Sequence, residues 1–138
     1  MAIIEQGAPG RIFYVRIHPN EDLLRSVEHT AREAGLAVAM VRSSVGSLAH
    51  ACLEVAGGRR LDLPGPALEI MSLQGEVRAA ADGLPQALLA GVVMDLQGKF
   101  HAGRFVRGRN PACMTIEVVL EEWCVEQRME LSDDAQYQ

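Results

Sequence analysis

Apolar and polar positions alternate along several stretches of this chain and follow a helical interval along one. Between Asn20 and Gly35, the residues Leu23, Leu24, Val27, Ala31 and Ala34 recur at the spacing of one helix face. That spacing predicts a helix capped by Asn20 and closed by Gly35, with Glu21–Arg25 and Glu28–Arg32 as i,i+4 pairs on its wet side. Arg11 to Ile17 reads as a first strand, with Ile12, Tyr14 and Arg16 facing one way and Phe13, Val15 and Ile17 the other. Leu36 to Arg42 is a continuously apolar strand that Ser43 to Ser47 interrupts, and Leu48 to Val55 resumes it. Gly57-Gly58 turns the chain into Arg59 to Leu63. Pro64-Gly65-Pro66 then breaks it before Ala67 to Gln74, and Gly75 separates a short continuation, Glu76 to Ala79. A long strand from Cys113 to Trp123 alternates Ile116, Val118 and Leu120 with Thr115, Glu117, Val119 and Glu121.

The stretch from Gln86 to Phe105 has the pattern of a β-hairpin. Val92 and Val93 favour a strand, Asp95-Leu96-Gln97-Gly98 supplies turn chemistry, and Lys99 to Phe105 returns alongside. A three-residue loop with Gly98 left-handed sets Asp95 opposite Lys99 and therefore Ala90 opposite Arg104. One face then carries Leu88, Ala90, Val92, Met94, Phe100, Ala102 and Arg104, and Arg104 is its one polar member.

One helix among about eight strands joined by short loops implies an α+β fold: a curved, largely antiparallel sheet packed on one main helix. Residues 1–10 read as an N-terminal arm, 11–127 as a single domain and 128–138 as a polar tail, disordered from Ser132. So many strands leave edges, which closure of the sheet or pairing with another subunit would protect, so an oligomer is expected.

Composition narrows the picture without naming a function. The chain has 138 residues, 49% hydrophobic and 22% charged, the size and balance of one globular domain. A net charge of −5 opposes non-specific binding to phosphate backbones. No apolar run reaches the roughly 20 residues that cross a bilayer, and the N-terminus lacks signal-peptide order, so a cytoplasmic protein without membrane contact is expected. Cys52, Cys113 and Cys124 have no metal-like spacing and read as reduced, buried thiols. On one strand Cys113 and Cys124 would lie about 36 Å apart, too far to bond.

Taken in order, several segments resemble the plants-and-prokaryotes conserved domain, PPC, over about Arg11 to Glu122. They are Arg11 to Ile17 leading into Pro19-Asn20-Glu21-Asp22-Leu23-Leu24, then Ser44-Val45-Gly46-Ser47-Leu48, then Glu69 to Gly75, and finally Thr115-Ile116-Glu117-Val118-Val119. The resemblance implies a compact α/β domain that assembles as a homotrimer and is often labelled DNA-binding. Many prokaryotic members carry a His-x-His before the hairpin turn and a third His after it, a set able to hold a metal. The aligned positions here are Leu88, Ala90 and Arg104, so the resemblance implies a lost metal site with no metal and no cofactor. His101 falls on the opposite face. The fold is also similar to that of metal-dependent acetolactate decarboxylase, whose chemistry the same loss would remove. Arg107-Gly108-Arg109 looks like the core of an AT-hook but lies between strands.

Three readings follow. The first is a non-catalytic binding or assembly module, with Arg104 taking a small carboxylate or phosphate in a site that includes Glu117 and Ser72. Its structural alternative is an ion pair of Arg104 with Glu117 or Glu69. The second is a DNA-associated regulator acting through a partner, with Arg42, Arg59, Arg60, Arg78 and Arg107 supplying any direct contact. The third is an enzyme, for which no catalytic residue stands out: the sequence has no Ser-His-Asp arrangement, reactive cysteine setting or spaced carboxylate pair.

Overall fold

A computed structural model describes residues 2–132. In chain order its elements are β1 (Ala2–Ile17), α1 (Leu23–Ala34), β2 (Val38–Glu54), β3 (Arg60–Ala79), β4 (Pro85–Met94), β5 (Phe100–Phe105) and β6 (Ala112–Leu131). The strands form one sheet in the order β1-β6-β2-β3-β4-β5, with every pairing antiparallel. A further pairing of Leu53 and Glu54 on β2 with Phe105 and Arg104 on β5 closes β2, β3, β4 and β5 on themselves. Closure gives β5 a second partner at Arg104 and Phe105 and leaves β1 with a partner on one side only.

The described residues hold six strands rather than about eight, because three expected breaks are bends inside continuous strands. Ser43 to Ser47 sits within β2, flanked by register shifts at Val41/Ser43 and Gly46/Leu48. Pro64 to Pro66 and Gly75 lie within β3. Bulges and glycines bend and coil a strand without ending it, and a sheet this curved needs them. At Gly75 the φ of 134° and the close approach of the Leu88 carbonyl leave no room for a Cβ.

β1 starts at Ala2, not Arg11. Residues 2–9 pair with the far end of β6, from Ala2 opposite Leu131 to Pro9 opposite Trp123. Gly7, Pro9 and Gly10 hide this strand from a periodicity reading, but Glu5 anchors it. Its carboxylate accepts from Arg78 Nη1 at 2.9 Å and from Trp123 Nε1 at 3.1 Å. Those two hydrogen bonds, Arg78 first, hold the Glu5 carboxyl below the ordinary range. β6 likewise continues through Arg128 to Leu131, and the tail read as disordered lies, past Ser132, outside the described residues.

Helix α1 buries Leu23, Leu24, Val27 and Ala31 against one side of the sheet, where Leu48, Leu53, Leu68, Ile70, Val77, Leu89, Val93 and Phe105 meet it. Asp22, not Asn20, is its N-cap: Asp22 Oδ2 accepts from Arg25 N–H at 3.0 Å. Asn20 instead takes a left-handed conformation with φ 69° just before the cap. Gly35 ends the helix in the left-handed conformation, and Leu36 N–H returns to the Ala31 carbonyl at 2.9 Å.

The loop between β5 and β6 is tied to this helix start through Asn110, which is fully buried. Its Oδ1 accepts from Cys52 N–H at 2.9 Å, and its Nδ2 donates to the carbonyls of Val106 at 2.8 Å and Cys52 at 3.2 Å. Its backbone N–H donates to Asp22 Oδ1 at 2.9 Å, and its carbonyl accepts from Leu23 N–H at 3.0 Å. Every polar atom of that side chain is used, so truncation would strand buried backbone groups.

Asn110→Ala is therefore expected to lower the unfolding free energy by about 3 kcal/mol. Urea denaturation checks it: a lower midpoint at unchanged slope is expected, and a loss under about 1 kcal/mol would show that the loop is held by other contacts.

Candidate functional site

The hairpin of β4 and β5 forms with the register that its turn chemistry dictates. Asp95 N–H donates to the Lys99 carbonyl at 2.9 Å, Gly98 N–H returns to the Asp95 carbonyl at 3.0 Å, and Gly98 has φ 80°. Asp95 Oδ1 accepts from the N–H groups of Gln97 and Lys99, both at 2.9 Å. Its Oδ2 lies 2.9 Å from His101 Nε2. His101 and then these backbone donors hold the Asp95 carboxyl below its ordinary range. From this loop the pairing runs Met94–Phe100, Val92–Ala102 and Ala90–Arg104.

The face carrying Arg104 points outward. Leu88 and Phe100 are 63% and 65% exposed, and Ala102 and Arg104 are also exposed. Ala87, Leu89, Val93 and Phe105, from the alternate positions, enter the core. Both sides of this hairpin are apolar, so alternation alone could not choose between them; contact with α1 does. Arg104 is thus not a buried cation in need of an anion. Among the described residues no carboxylate lies within 4 Å of it.

Neither carboxylate expected beside Arg104 is there. Glu117 pairs with Arg16 at 3.3 Å and accepts from Thr115 Oγ1 at 3.0 Å, on the wall formed by β1, β6 and β2. Glu69 sits across from Met94 and Ser47. The carboxylate next to Arg104 in the sheet is Glu54, whose other cross-strand neighbour is Arg60. Sequence reading missed it because the β2–β5 pairing is long-range and leaves no local trace. Ser72, by contrast, is on the same outer face, opposite Val92.

Ser72, Gln74, Glu54 and Arg104 line a concavity of about 690 Å³ floored by Ala90, Val92 and Ala102. A second concavity, of about 840 Å³, adjoins it through Arg104 and Glu54 and includes Arg60, Gln86 and Leu88. Two guanidinium groups flanking one carboxylate leave this trough with a net positive charge. Such a trough can take a carboxylate or phosphoryl group on the Arg104 fork, with the Ser72 hydroxyl and Gln74 amide as further polar contacts.

Leu88, Ala90 and Arg104 do converge: Ala90 faces Arg104 across the ladder, and Leu88 lies two residues along the same side. They do not fit a metal, because alkyl carbons have no lone pair to donate and a guanidinium keeps its proton. His101 is turned to the other face and engaged by Asp95. No group of three or more His, Cys, Asp or Glu among the described residues is placed to hold a metal ion.

Several arginines of the expected basic surface are engaged. Arg42 lies 3.7 Å from Glu121, Arg78 pairs with Glu5 and Glu76, and Arg107 lies 2.8 Å from Glu28. The three cysteines are unbonded, and only Cys52 is buried, where burial, then a hydrogen bond to Asp62, pushes its thiol up and away from reactivity.

Residues 4–124 match the family described as the Plants and Prokaryotes Conserved (PCC) domain. Among curated proteins, the chain is 33% identical over 115 residues to the bifunctional protein GlmU of Synechococcus sp. strain JA-3-3Ab, covering 81% of this chain and 17% of that protein. The chain therefore spans under a fifth of the length of the curated relatives it matches. Among solved structures, a plant- and prokaryote-conserved protein from Pyrococcus horikoshii superposes with a TM-score of 0.79 at 21% identity, covering 88% of this chain and 85% of that one. A metal-containing protein from Archaeoglobus fulgidus gives 0.76 at 23% identity, over 89% and 86%. A protein from Bacteroides thetaiotaomicron, provisionally described as DNA-binding, gives 0.70 at 14% identity, over 84% and 83%. At these identities the structural likenesses are of fold.

The lowered Asp95 carboxyl makes the hairpin sensitive to acid. A depressed carboxylate contributes stability that is complete above its unfolded pKa and is lost as pH falls through the folded one. Melting temperature is thus expected to be flat near neutrality and to fall below about pH 4. Asp95→Asn should melt lower at neutral pH and lose less on acidification; a variant with the wild-type pH profile would remove Asp95 from the account.

Proposed function

The chain belongs to the Plants and Prokaryotes Conserved domain family, and from that premise we propose that it works as a metal-free, non-catalytic homotrimeric assembly module that presents a binding trough for a small anion. The observation that carries this reading is a pair of uncovered apolar faces on different strands. One, on β4 and β5, exposes Leu88 and Phe100; the other, on β1, β2 and β6, exposes Ile12, Tyr14 and Val45. A two-fold dimer needs one self-complementary patch, whereas two distinct patches suit head-to-tail contacts that close into a ring. Closure at three copies is what the family resemblance implies. Exposed large apolar side chains grouped in this way suit contact with another protein surface.

Assembly would also change the trough. A neighbouring copy over Leu88 and Phe100 would wall in the two concavities and lower the dielectric around Arg104, strengthening its hold on a carboxylate or phosphoryl group. Ser72 and Glu54 share that trough. Glu117 is left out of the binding set, since it is spent on Arg16. The cytoplasm is the compartment we assign, and three unbonded cysteines suit it. No helix among the described residues is long and apolar enough to cross a membrane.

A second reading, a DNA-associated regulator, is favoured by the provisional description of the Bacteroides neighbour. The net charge of −5 and the pairing of Arg42, Arg78 and Arg107 weigh against direct contact, so on this reading a partner would do the touching. Decarboxylase-like chemistry lacks a donor set here, and the activities of a bifunctional relative many times longer are not carried over.

Sedimentation velocity tests assembly. The wild type should run at three times the 15.0 kDa chain mass and Leu88→Glu as a smaller species; a monomeric wild type at micromolar concentration overturns the reading. Thermal shift with small dicarboxylates tests the trough. An anion-dependent rise in melting temperature should vanish in Arg104→Met, and an unchanged rise would place any anion elsewhere.

A further inference from the structure

We infer that the outer flank of α1 carries a second anion site, separate from the Arg104 trough, for the phosphoryl group of a small phosphate ester. Arg25, His29 and Arg32 are exposed and fall at i, i+4 and i+7, so they form one stripe on the helix side opposite Leu24, Val27 and Ala31. The sequence pattern supplies each arginine with a partner, Glu21 for Arg25 and Glu28 for Arg32, and neither pair forms. Glu21 Oε1 instead accepts from His18 N–H at 2.8 Å. Glu28 turns inward until it is 8% exposed, accepts from Ala87 N–H at 2.9 Å, and takes a two-pronged contact from Arg107 at 2.8 and 3.1 Å.

Glu28 thereby fixes Arg107 beside the stripe while its own oxygens are used up. Arg25, Arg32 and Arg107 then line one concavity of about 300 Å³ with His29, and Leu84 forms an apolar ledge. Among the described residues no carboxylate lies within 4 Å of the Arg25 or Arg32 guanidinium. Two further acids stand nearby and hold turns: Asp22 accepts from Arg25 and Asn110 N–H, and Asp82 Oδ1 from Leu84 N–H, while the charge of both also acts on Arg107.

Within the lining itself three guanidinium groups stand against the one carboxylate of Glu28, an excess of positive charge at the wall of the concavity in a chain of net −5, with Asp22 and Asp82 outside that lining. Planar two-donor forks match the oxygens of a phosphoryl group. The volume lies at the small end of ligand sites, enough for a phosphate and a short organic remainder on Leu84. A duplex would need basic residues spread along a longer face, and the rest of the surface is acidic on balance.

The test is thermal shift of the full chain with inorganic phosphate and pyrophosphate at low, matched ionic strength, together with NMR of the arginine Nε–Hε resonances. Expected are a rise in melting temperature, larger for pyrophosphate, and displacement of the Arg25 and Arg32 signals. Read in the Arg104→Met background, which removes the trough's cation, the rise should persist, be lost on adding Arg25→Gln/Arg32→Gln and be partly kept with Arg25→Lys/Arg32→Lys. That background separates this site from the trough, so either can fail alone. No rise in the wild type, the same rise with sodium chloride, or a rise that survives the glutamine pair in that background overturns the inference. Retardation of random duplex that depends on Arg25 and Arg32 without a phosphate response overturns it in favour of nucleic acid.

Discussion

A helix of twelve residues cannot cover both sides of a six-stranded sheet, and most of what is distinctive in this protein follows from that shortage. The sheet answers part of it by curling until β5 meets β2, so that one helix suffices to seal the concave side. The convex side then has no layer of its own. Polar residues would be expected there in a monomer, yet Leu88, Phe100, Ile12, Tyr14 and Val45 stand on it. The apolar convex side is what connects the fold to the proposed assembly, and the hollow between its strands is what places Arg104, Ser72 and Glu54 around one trough.

Keeping one helix against so much sheet requires that its ends be held. Asn110 and Asp22 do this together. Asp22 caps the first turn and accepts from Asn110 N–H, while the Asn110 side chain bonds to β2 and to the loop after β5. At the other end, Arg11 Nη2 donates to the Ala34 carbonyl and pairs with Glu122, binding the last turn to β1 and β6. The same helix turns Arg25, His29 and Arg32 outward as a stripe without a carboxylate partner for its side chains among the described residues, because Glu28 is drawn beneath it. A single carboxylate thus serves as a clamp on β4 and as the reason that the Arg32 side chain has no carboxylate partner among the described residues.

Local chemistry was legible in the sequence and long-range geometry was not. The helix, its Gly35 stop, the Asp95–Gly98 turn and the Ala90–Arg104 register all follow from residues within a few positions of one another. The Ser43–Ser47 and Pro64–Pro66 segments carry the signature of breaks because small and turn-forming residues mark ends and bends alike; only the partner strand decides which. The polar, glycine-containing start of β1 is a strand because Glu5 reaches Arg78 and Trp123, more than seventy positions away. Most telling is the hairpin face. Two apolar sides give no way to tell core from convex surface, and nothing local tells whether Glu117 or Glu69 is in reach of Arg104. Arg104 is exposed, with Glu54 as its neighbour across the ladder.

The account turns on whether the convex side is covered in solution by other copies of the chain. A sample mixed from carbon-13-labelled and deuterated nitrogen-15-labelled chains would report this through intermolecular nuclear Overhauser effects. Contacts from the Leu88 methyls and the Phe100 ring to amides on β1, β2 or β6 of another copy are the predicted result. Leu88 and Phe100 without intermolecular contacts, and relaxed by a soluble paramagnetic agent as strongly as Leu96 at the hairpin tip, would contradict it.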